Sequence, residues 1–559
     1  MPRPRALFAP LLLALALSAN ATPDPAAPAV EEWRSLKFGL FIHFGLYSIP
    51  GGVWNGEEVR RGYSEQIQAH GKIPRKDYAG LTGQFNPEKW DPDAVALLAK
   101  EAGMRYVVLT AKHHDGFNLF DTEYSGYNVV DTTPYKRDIV KELAEACARH
   151  GLKFGVYFSI IDWNFPYAPP ISDHNSDPVT PELQTLITGQ LEELMTNYGP
   201  ICEIWFDMGA PTAEQSRVFA DTVHQFQPAA MVSGRVWNNA GDFLVMGDNQ
   251  IPDETFSMPW ETPASIYHAT WGYRSWQVRE DLPGKVREKI RSLVRVAARG
   301  GNYLLNIGPR GDGSIVEFEA DVLKGVGAWL KRNGEAVFAA GPAENAGHPA
   351  WGEITRAGAK FYLHVFSLPK DGVLELPRFI GRVTSVVQLD DPARAPRPYH
   401  TTNDTLRITL PLELPDADAT VYVVETEGPA AFTPARVATP DAAGVVTLTR
   451  ADLTPHFGVS GTDYYSQKIT TVALQGHAQL AAGTFRIEVT GESETPGRPY
   501  RLRIGPVDLT GPLPLAGENL ALPGGLSAIR LERADPAHMS EDLGVAEPRL
   551  LITPNAGTP

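Results

Sequence analysis

The architecture of the chain follows from one stretch that contains the apolar run YVVLTAKHH (106–114), an amphipathic segment (137–151) and the apolar run FGVYFSI (154–160). Apolar residues of the middle segment recur on one face of a helix. The two flanking runs are continuously apolar rather than alternating, which is typical of parallel strands that are buried on both faces. The stretch therefore predicts a strand, a helix and a second strand parallel to the first.

The same alternation of apolar runs and amphipathic segments extends outward from this unit, from Phe38 to about Gly341. Repetition of strand and helix over this length predicts an α/β fold with a (β/α)8-like TIM barrel in residues 31–341, either regular or distorted, for example by a missing helix. A doubly wound open sheet is the alternative, and it is disfavoured because no G-x-G-x-x-G motif opens a helix after the first run. The further apolar runs are FGLFIHFG (38–45), EIWFDMG (203–209), MVSGRVW (231–237), FSMPWE (256–261) and YLLNIGP (303–309).

The C-terminal part of the chain has a different pattern. From Trp351 onward, apolar residues alternate with polar ones in short runs that are separated by Pro, Gly and Asp. Such alternation is typical of antiparallel strands with one solvated face, so we expect a β-sandwich domain over residues 342–428. The Gly428-Pro429 pair marks a second break, after which residues 429–559 are expected to form a second all-β accessory module with a loose C-terminal tail.

The N-terminus has the layout of a secretory signal peptide. Arg3 and Arg5 precede an apolar run that ends in the A-x-A pattern of Ala19 to Ala21. The run is too short to anchor the protein in a bilayer, which takes about 20 apolar residues. We therefore expect residues 1–21 to be a signal peptide and the protein to be exported, either to a periplasm or to the medium.

The composition narrows the range of partners. The chain has 50 Lys and Arg against 66 Asp and Glu, a net charge of −16 at pH 7. A negative surface repels phosphate backbones, so no nucleic-acid partner is expected. Two cysteines are too few for a disulfide scaffold or a four-thiolate metal site. No segment after the first is apolar enough to cross a membrane, so no membrane partner is expected, and the oligomeric state is left open.

The carboxyl ends of the predicted strands carry polar side chains. In a parallel barrel these ends converge with the following loops to form the active site. Two carboxylates fall there, Asp207 after the fourth run and Glu261 after the sixth, and such a pair suits cleavage of a glycosidic bond. The other side chains suit a sugar, since they pair with hydroxyls or stack on C–H faces. They are His43, His113, His114, Tyr157, Trp205 and Arg235.

The spacing alone leaves other interpretations open. Asp207 after an apolar strand is also the pattern of a helix N-cap, and Glu261 also suits a surface position. His43, His113 and His114 would be the ligands of a metal-dependent hydrolase, but successive strand residues point to opposite faces, so no metal site is predicted. A non-catalytic carbohydrate-binding protein is a further alternative, which would need the aromatic residues and histidines but not both carboxylates.

Six segments of the predicted barrel resemble the α-L-fucosidases of glycoside hydrolase family 29. They run in the family's order across roughly residues 31–341, and the second β module is not covered. The combination of H-F-G, K-H-H-D-G-F, W-x-D and G-G-N-x-L-L-N-I-G-P is specific. The segments are WRSLKFGLFIHFGLYS (33–48), TAKHHDGFNLFDT (110–122), YFSIIDW (157–163), EIWFDMG (203–209), PWETPASIYHATWGYRSW (259–276) and GGNYLLNIGPRGDG (300–313).

The resemblance implies a function. A member of this family is a retaining exo-glycosidase that hydrolyses terminal α-L-fucosyl residues of oligosaccharides or polysaccharides by double displacement. A related retaining hexosidase, such as a galactosidase-like enzyme, is the chemically close alternative. The resemblance also implies a fucosylated glycan as the partner, and neither a metal nor an organic cofactor.

The resemblance assigns roles to single residues as well. Asp207 matches the family's nucleophile, and Glu261 matches its acid/base in many members, with Glu254 and Glu65 as the other candidates for the acid/base. The chain departs from the family where an E-W dipeptide follows the first strand, because Glu65 and Gln66 stand there. That part of the sugar-binding wall is therefore expected to differ. The implied sugar-binding residues are His43, His113, His114, Tyr157, Trp205, Arg235, Glu65 and Trp54.

Overall fold

The structure of the protein is a computed structural model. The expected signal peptide, residues 1–21, lies outside the described residues and stays a prediction. In the C-terminal tail that was expected to be loose, Val545–Pro554 is a paired strand. The described residues are 28–166, 168, 176–402, 404–535 and 541–555.

Eight parallel strands form one sheet in which each strand pairs with its neighbours in the chain. The first strand pairs with the last, and a parallel bridge between Ser233 and Phe243 joins the two short strands on the opposite side. The sheet thus forms a TIM-like barrel, which confirms the predicted fold class. The strands are β1 (Phe38–Ile42), β2 (Tyr106–Lys112), β3 (Lys153–Ser159), β4 (Ile201–Asp207), β5 (Met231–Val232), β6 (Leu244–Val245), β7 (Trp260–Ser265) and β8 (Asn302–Ile307).

The helices begin and end at residues whose side chains suit those positions. Asp138 accepts the N–H of Lys141 at the start of one helix, and Gly151 ends that helix with a left-handed φ of 73°. Thr212 and Gln215 form a capping box at the start of another. The helices are α1 (Pro28–Leu36), α2 (Ile67–His70), α3 (Arg75–Ala79), α4 (Pro92–Glu101), α5 (Val129–Thr132), α6 (Ile139–His150), α7 (Pro181–Asn197), α8 (Ala213–Phe226), α9 (Leu282–Ala298), α10 (Glu317–Asn333) and α11 (Glu335–Phe338).

One side of the barrel lacks its helices. Between Val232 and Trp260, a segment described in full, there is no α-helix and only a 3-10 turn at Gly234–Val236. The barrel is therefore distorted, which is one of the two forms that the sequence allowed. Here the second β module covers the barrel, since the N–H of Phe457 donates to the carbonyl of Thr255 at 2.8 Å.

Two strands of this region differ from the prediction. Strand β6 was not predicted, because two residues are too few to produce a periodic pattern. The sixth apolar run was predicted to end at residue 261, whereas β7 begins at Trp260 and continues to Ser265. Glu261 is therefore the second residue of its strand and not the last, and it lies away from the carboxyl end.

Antiparallel sheets follow the barrel. Residues 341–432 contribute one sheet of five strands and one of three, and residues 446–554 contribute one sheet of five and one of four. The strands are the Gly341–Pro342 pair, β9 (Gly352–Ala357), β10 (Lys360–Val365), β11 (Val373–Leu376), β12 (Phe379–Gln388), β13 (Tyr399–Thr402), β14 (Thr405–Thr409), β15 (Thr420–Phe432), β16 (Val446–Leu448), β17 (Thr454–Ser460), β18 (Lys468–Leu480), β19 (Gly483–Ser493), β20 (Tyr500–Ile504), β21 (Val507–Gly511), β22 (Leu515–Leu522), β23 (Gly525–Arg533) and β24 (Val545–Pro554).

The first of these β units packs on the barrel through α10. The indole N–H of the buried Trp329 donates to the carbonyl of Ala419 at 2.8 Å. Strand β15 runs without interruption across Gly428, the residue at which the sequence placed a domain boundary. The chain thus leaves the first β unit a few residues later than that break, after Phe432.

Two further features bear on the expectations from composition. Within the described residues, no helix combines the length and the apolar character that crossing a bilayer requires. Cys147 and Cys202 are both unpaired, the first of them buried.

Candidate active site

A pocket lies at the carboxyl ends of the barrel strands. Carboxylates, imidazoles and one guanidinium are set among aromatic rings in its wall, which is the mixed lining that a sugar requires. The structure brings together in this single pocket eight side chains that the sequence singled out. They are Asp207, His43, His113, His114, Tyr157, Trp205, Arg235 and Glu65. The lining residues are Phe41, His43, Tyr63, Glu65, Gln66, His113, His114, Tyr157, Trp205, Asp207, Met208, Arg235, Asp248 and Trp271.

Asp207 is the last residue of β4 and points into the pocket with both oxygens held. Its Oδ2 accepts a hydrogen bond from the hydroxyl of Tyr157 at 2.8 Å, and its Oδ1 accepts one from Nη1 of Arg235 at 3.0 Å. The Nε2 atom of His114 lies 3.9 Å from Oδ2. The carboxylate is thereby fixed in one orientation at the rim of a parallel barrel, where a nucleophile is needed.

Arg235 links two carboxylates. It lies in the 3-10 turn after β5, and its Nη2 donates to Oδ1 of Asp248 at 2.8 Å while Nη1 donates to Asp207. Because one planar guanidinium holds both groups, the two carboxylates face the same part of the pocket.

Glu65 forms another part of the wall. It follows β1 in the 3-10 turn Ser64–Gln66, and its Oε2 accepts the N–H groups of Trp271 at 3.1 Å and Gly272 at 2.8 Å. Burial raises the pKa of Glu65 to about 7, although these backbone donors and Arg274 oppose the shift. Glu65 therefore exchanges a proton near neutral pH.

Three buried imidazoles lie side by side at the ends of β1 and β2. Burial is the main cause that lowers the pKa of His43 and of His114 to about 3, and it lowers the pKa of His113 well below its usual range. Nδ1 of His43 bonds to Oδ1 of Asn306 at 2.7 Å, and Nδ1 of His114 bonds to Oγ of Ser159 at 2.8 Å. A neutral imidazole both donates and accepts, which suits sugar hydroxyls.

Aromatic rings form the apolar part of the pocket. The ring of Tyr157 stacks on Trp205 with centroids 5.6 Å apart, and Phe41 lies 5.4 Å from Trp205. The indole of Trp271 lies 5.4 Å from the His43 ring, on the side where the family's E-W tryptophan is replaced. These faces offer stacking surfaces for the C–H side of a pyranose.

Glu261 does not line the pocket. It is fully buried one layer below, where Oε2 accepts the hydroxyl of Tyr106 at 2.5 Å and Oε1 accepts the indole N–H of Trp205 at 3.0 Å. Burial raises the pKa of Glu261 to about 8. The register explains the location, because Glu261 is opposite Asn302, the first residue of β8, and so lies near the amino ends of the strands.

Two other residues named from the sequence also lie elsewhere. Trp54 is in the two-residue strand Val53–Trp54, which pairs with Glu57–Glu58, and it packs against the core outside the pocket lining. Glu254 is half-buried in the loop before β7 and does not line the pocket either.

Two ionisable lining residues were not predicted from the sequence. Asp248 follows the short strand β6, and the apolar letters F-L-V-M at 243–246, followed by Gly-Asp, were the signal that could have found it. Tyr63 precedes Glu65 in the loop after β1 and carries no motif. In the part of the chain that the structure describes, no group of three or more His, Cys, Asp or Glu is arranged to hold a metal ion.

Comparison with known proteins agrees with this geometry. Residues 17–335 match the family model described as alpha-L-fucosidase. The chain is 32% identical over 400 residues to a tissue alpha-L-fucosidase of Rattus norvegicus, an alignment that covers 66% of this chain and 85% of that protein.

Two solved structures are similar as well. An alpha-L-fucosidase from Bacteroides thetaiotaomicron, trapped as a covalent intermediate with 2-fluoro-fucosyl fluoride, is 27% identical, with a TM-score of 0.65 over 74% of this chain and 98% of that one. An alpha-L-fucosidase from Vibrio sp. strain EJY3 is 25% identical, with a TM-score of 0.66 over 94% of this chain and 98% of that one. With the family model matched over more than half of its length, the chain belongs to the alpha-L-fucosidase family, glycoside hydrolase family 29.

Proposed function

We infer that this protein hydrolyses terminal α-L-fucosyl residues of glycans with retention of configuration. The observation that carries this inference is the fixed Asp207 of a family member, held between Tyr157 and Arg235 in the pocket at the carboxyl ends of the barrel strands. The covalent intermediate trapped in the Bacteroides relative supports the double displacement.

In the first step, we propose that Asp207 attacks the anomeric carbon and forms a fucosyl ester while the bond to the leaving oxygen breaks. A carboxyl group in the pocket gives its proton to that oxygen. In the second step, water attacks the anomeric carbon of the ester and loses a proton to the same carboxylate, while the bond from that carbon to Asp207 breaks and fucose is released. The overall reaction converts the glycoside and water into fucose and an alcohol. Because the configuration is inverted twice, it is retained.

We propose Asp248 as the acid/base. It shares Arg235 with Asp207, which keeps the two carboxyl groups close, and its side chain is 17% exposed against 8% for Asp207. The leaving group departs through the mouth of the pocket, so the group that protonates it belongs on the more open side. Glu261 is separated from the pocket by the Trp205 indole to which it is bonded.

Glu65 is the second candidate for this role. Its pKa of about 7 suits a general acid. Its carboxyl is nevertheless held in the wall by two backbone N–H groups and is 2% exposed. These contacts suit a group that binds a sugar hydroxyl, together with His43, His113 and His114.

The proposed function is tested by product stereochemistry. We expect proton NMR to show α-L-fucose as the first product of an aryl α-L-fucoside, with mutarotation following later, and no turnover of aryl galactosides at matched concentration. β-L-Fucose as the first product would contradict retention. Hydrolysis of a galactoside but not of a fucoside would favour the hexosidase alternative, and binding of fucose without turnover would favour a carbohydrate-binding protein.

We also propose that the protein is exported after cleavage behind Ala21. The basic start and the A-x-A pattern support this proposal. Sequencing of the N-terminus of the protein isolated from its native cells should give Thr22 first, and a protein that retains residues 1–21 would contradict export by this route.

A further inference from the structure

The second β module reaches the mouth of the pocket. Residues 461–467 connect β17 with β18, and this connection contacts the side of the barrel that lacks helices. The N–H of Asn238 donates to the carbonyl of Gly461 at 2.9 Å, and the side-chain amide of Gln467 donates to the carbonyl of Val245 at 3.4 Å. The hydroxyl of Ser176 donates to Oδ1 of Asp463 at 3.2 Å.

The connection has a defined shape. Asp463 caps a 3-10 turn over Tyr464–Ser466, and its Oδ1 accepts the N–H groups of Tyr465 at 2.8 Å and Ser466 at 3.0 Å. The hydroxyl of Ser466 in turn accepts the N–H of Asp463 at 3.1 Å. A side chain on this turn is therefore presented in one orientation.

Tyr464 is the residue that this turn presents to the barrel. Its half-buried ring packs against a small cluster of Ala69, Ile161, Trp163 and Met208, residues that follow β1, β3 and β4. Met208 itself lines the pocket and directly follows Asp207.

Tyr464 also covers Arg235. The central carbon of the guanidinium lies 4.9 Å from the centre of the buried Trp205 ring and 5.2 Å from the centre of the Tyr464 ring. Arg235 is thus held between a deep aromatic ring and an outer one, which is a cation–π arrangement. Since the same guanidinium holds Asp248, the outer ring stands next to the proposed acid/base.

Electrostatic interactions also indicate that Tyr464 lies near Asp248. Burial and the charge of Asp248 raise the pKa of Tyr464, and the same two causes raise the pKa of Tyr63 to about 12. Tyr63 lines the pocket from the loop after β1. Two tyrosines from different parts of the chain are therefore within electrostatic reach of Asp248.

We propose that Tyr464, supplied by the second β module, forms the wall of a leaving-group subsite and binds the sugar to which fucose is attached. This proposal rests on the proposed function. The leaving oxygen must reach the acid/base, so the next sugar lies beside Asp248, and an aromatic ring there stacks on its C–H face. In this proposal, the second β module is part of the active site.

The experiment compares two substrates. A fucosyl disaccharide carries a sugar in the leaving-group subsite, whereas α-L-fucosyl fluoride carries only fluoride. We expect Tyr464→Ala to lower kcat/KM for the disaccharide about tenfold more than kcat/KM for the fluoride, tenfold being the value of one aromatic stacking contact. A loss that both substrates share reports the weaker hold on Arg235 and not the subsite. Tyr464→Phe should keep the disaccharide activity, because it keeps the ring.

Tyr399→Ala is the matched control, since Tyr399 is an exposed tyrosine of the first β unit. Thermal unfolding of every variant checks that it is folded. The pH profile of the disaccharide reaction should keep its alkaline limb in Tyr464→Ala. A shifted limb would show that Tyr464 acts by positioning Asp248, and it would overturn the subsite.

The remaining outcomes also test the proposed subsite. Equal losses on both substrates, or no loss on either, would overturn the subsite while leaving the proposed function intact. If the unaltered protein hydrolysed neither substrate, the proposed function would fail, and the subsite would fail with it.

Discussion

At the scale of single residues, the chemistry of the pocket depends on how Asp207 is held. Its two oxygens accept hydrogen bonds from Tyr157 and Arg235, and Arg235 is itself held by Asp248 and two aromatic rings. The proposed nucleophile, fixed in this way, needs little reorganisation before it attacks.

Asp207→Ala should reduce kcat on an aryl fucoside by about 10³-fold or more, because no other carboxylate replaces the missing nucleophile. Azide should restore part of the activity by entering the vacated space. Asp253→Asn is the control, since the Asp253 side chain is 89% exposed and does not line the pocket. Turnover near the normal rate in Asp207→Ala would refute the assignment.

The acid/base can be identified through its dependence on the leaving group. Removal of a general acid costs most when the leaving group is poor, and this function is worth about 10²–10⁴-fold. We expect Asp248→Asn to slow hydrolysis of a fucosyl disaccharide by a factor in that range, and to slow that of a fucoside with an acidic phenol much less.

Glu65→Gln and Glu261→Gln are the comparison variants, assayed on the same two substrates. If Asp248 is the acid/base, neither should show this selective loss. A selective loss in Glu65→Gln, or in Glu261→Gln as the family resemblance suggested, would move the role to that residue and leave the family assignment unchanged.

At the scale of elements, β7 matters for stability through Glu261. Both carboxylate oxygens accept donors that are themselves buried, the Tyr106 hydroxyl and the Trp205 indole N–H. Glu261 lies directly below the pocket, where its hydrogen bond holds the indole of Trp205 from the side away from the pocket.

Glu261→Ala should lower the free energy of unfolding by about 2–5 kcal/mol, since it leaves two buried donors unpaired and opens a cavity. Urea unfolding followed by tryptophan fluorescence measures this change. The control is Glu254→Ala, which changes a half-buried loop residue and should stay within about 0.5 kcal/mol of the unaltered protein. A loss no larger than that of the control would contradict a supporting role.

At the scale of the whole molecule, two sets of buried groups oppose each other in the dependence of stability on pH. Burial raises the pKa of several carboxyl groups above their usual values of 3.8 or 4.5, so the stability they contribute is lost as pH rises toward 7 or 8. The groups are Glu65, Asp115 and Glu319, each at about 7, and Glu261 at about 8.

Buried histidines act in the other direction. Burial lowers their pKa from 6.5. The stability that they contribute is therefore complete above pH 6.5, and it is lost at lower pH because the unfolded chain takes up protons. They are His43, His114 and His364 at about 3, and His456 at about 4.

We therefore expect the melting temperature to be highest between about pH 4.5 and pH 6.5 and to fall on both sides of this window. Scanning calorimetry from pH 3.5 to pH 8 measures it. Glu319→Gln should flatten the alkaline side, because Glu319 is one of the groups that must ionise there. A melting temperature that rises steadily to pH 8 would contradict the prediction.

The sequence by itself determined the barrel and the place of the first carboxylate. Continuous apolar runs require burial on both faces, and a polar residue that ends such a run must lie at the rim, as Asp207 does. Motifs then identified the family, since each keeps several chemistry-bearing residues within one short segment. These signals are local, so the order of residue types within one short segment is enough to reveal them.

Only the tertiary structure decided which other groups meet Asp207. Asp248 follows a strand of two residues, too short for any period, and its position depends on β7 and β8 closing the barrel beside it. Glu261 lies below the pocket because its strand starts one residue earlier, and the register with Asn302 sets its depth. Tyr464 reaches Arg235 from a separate module, through packing on the side of the barrel that lacks helices. Depth, register and contacts between modules arise from pairings distant in the chain, which no local pattern encodes.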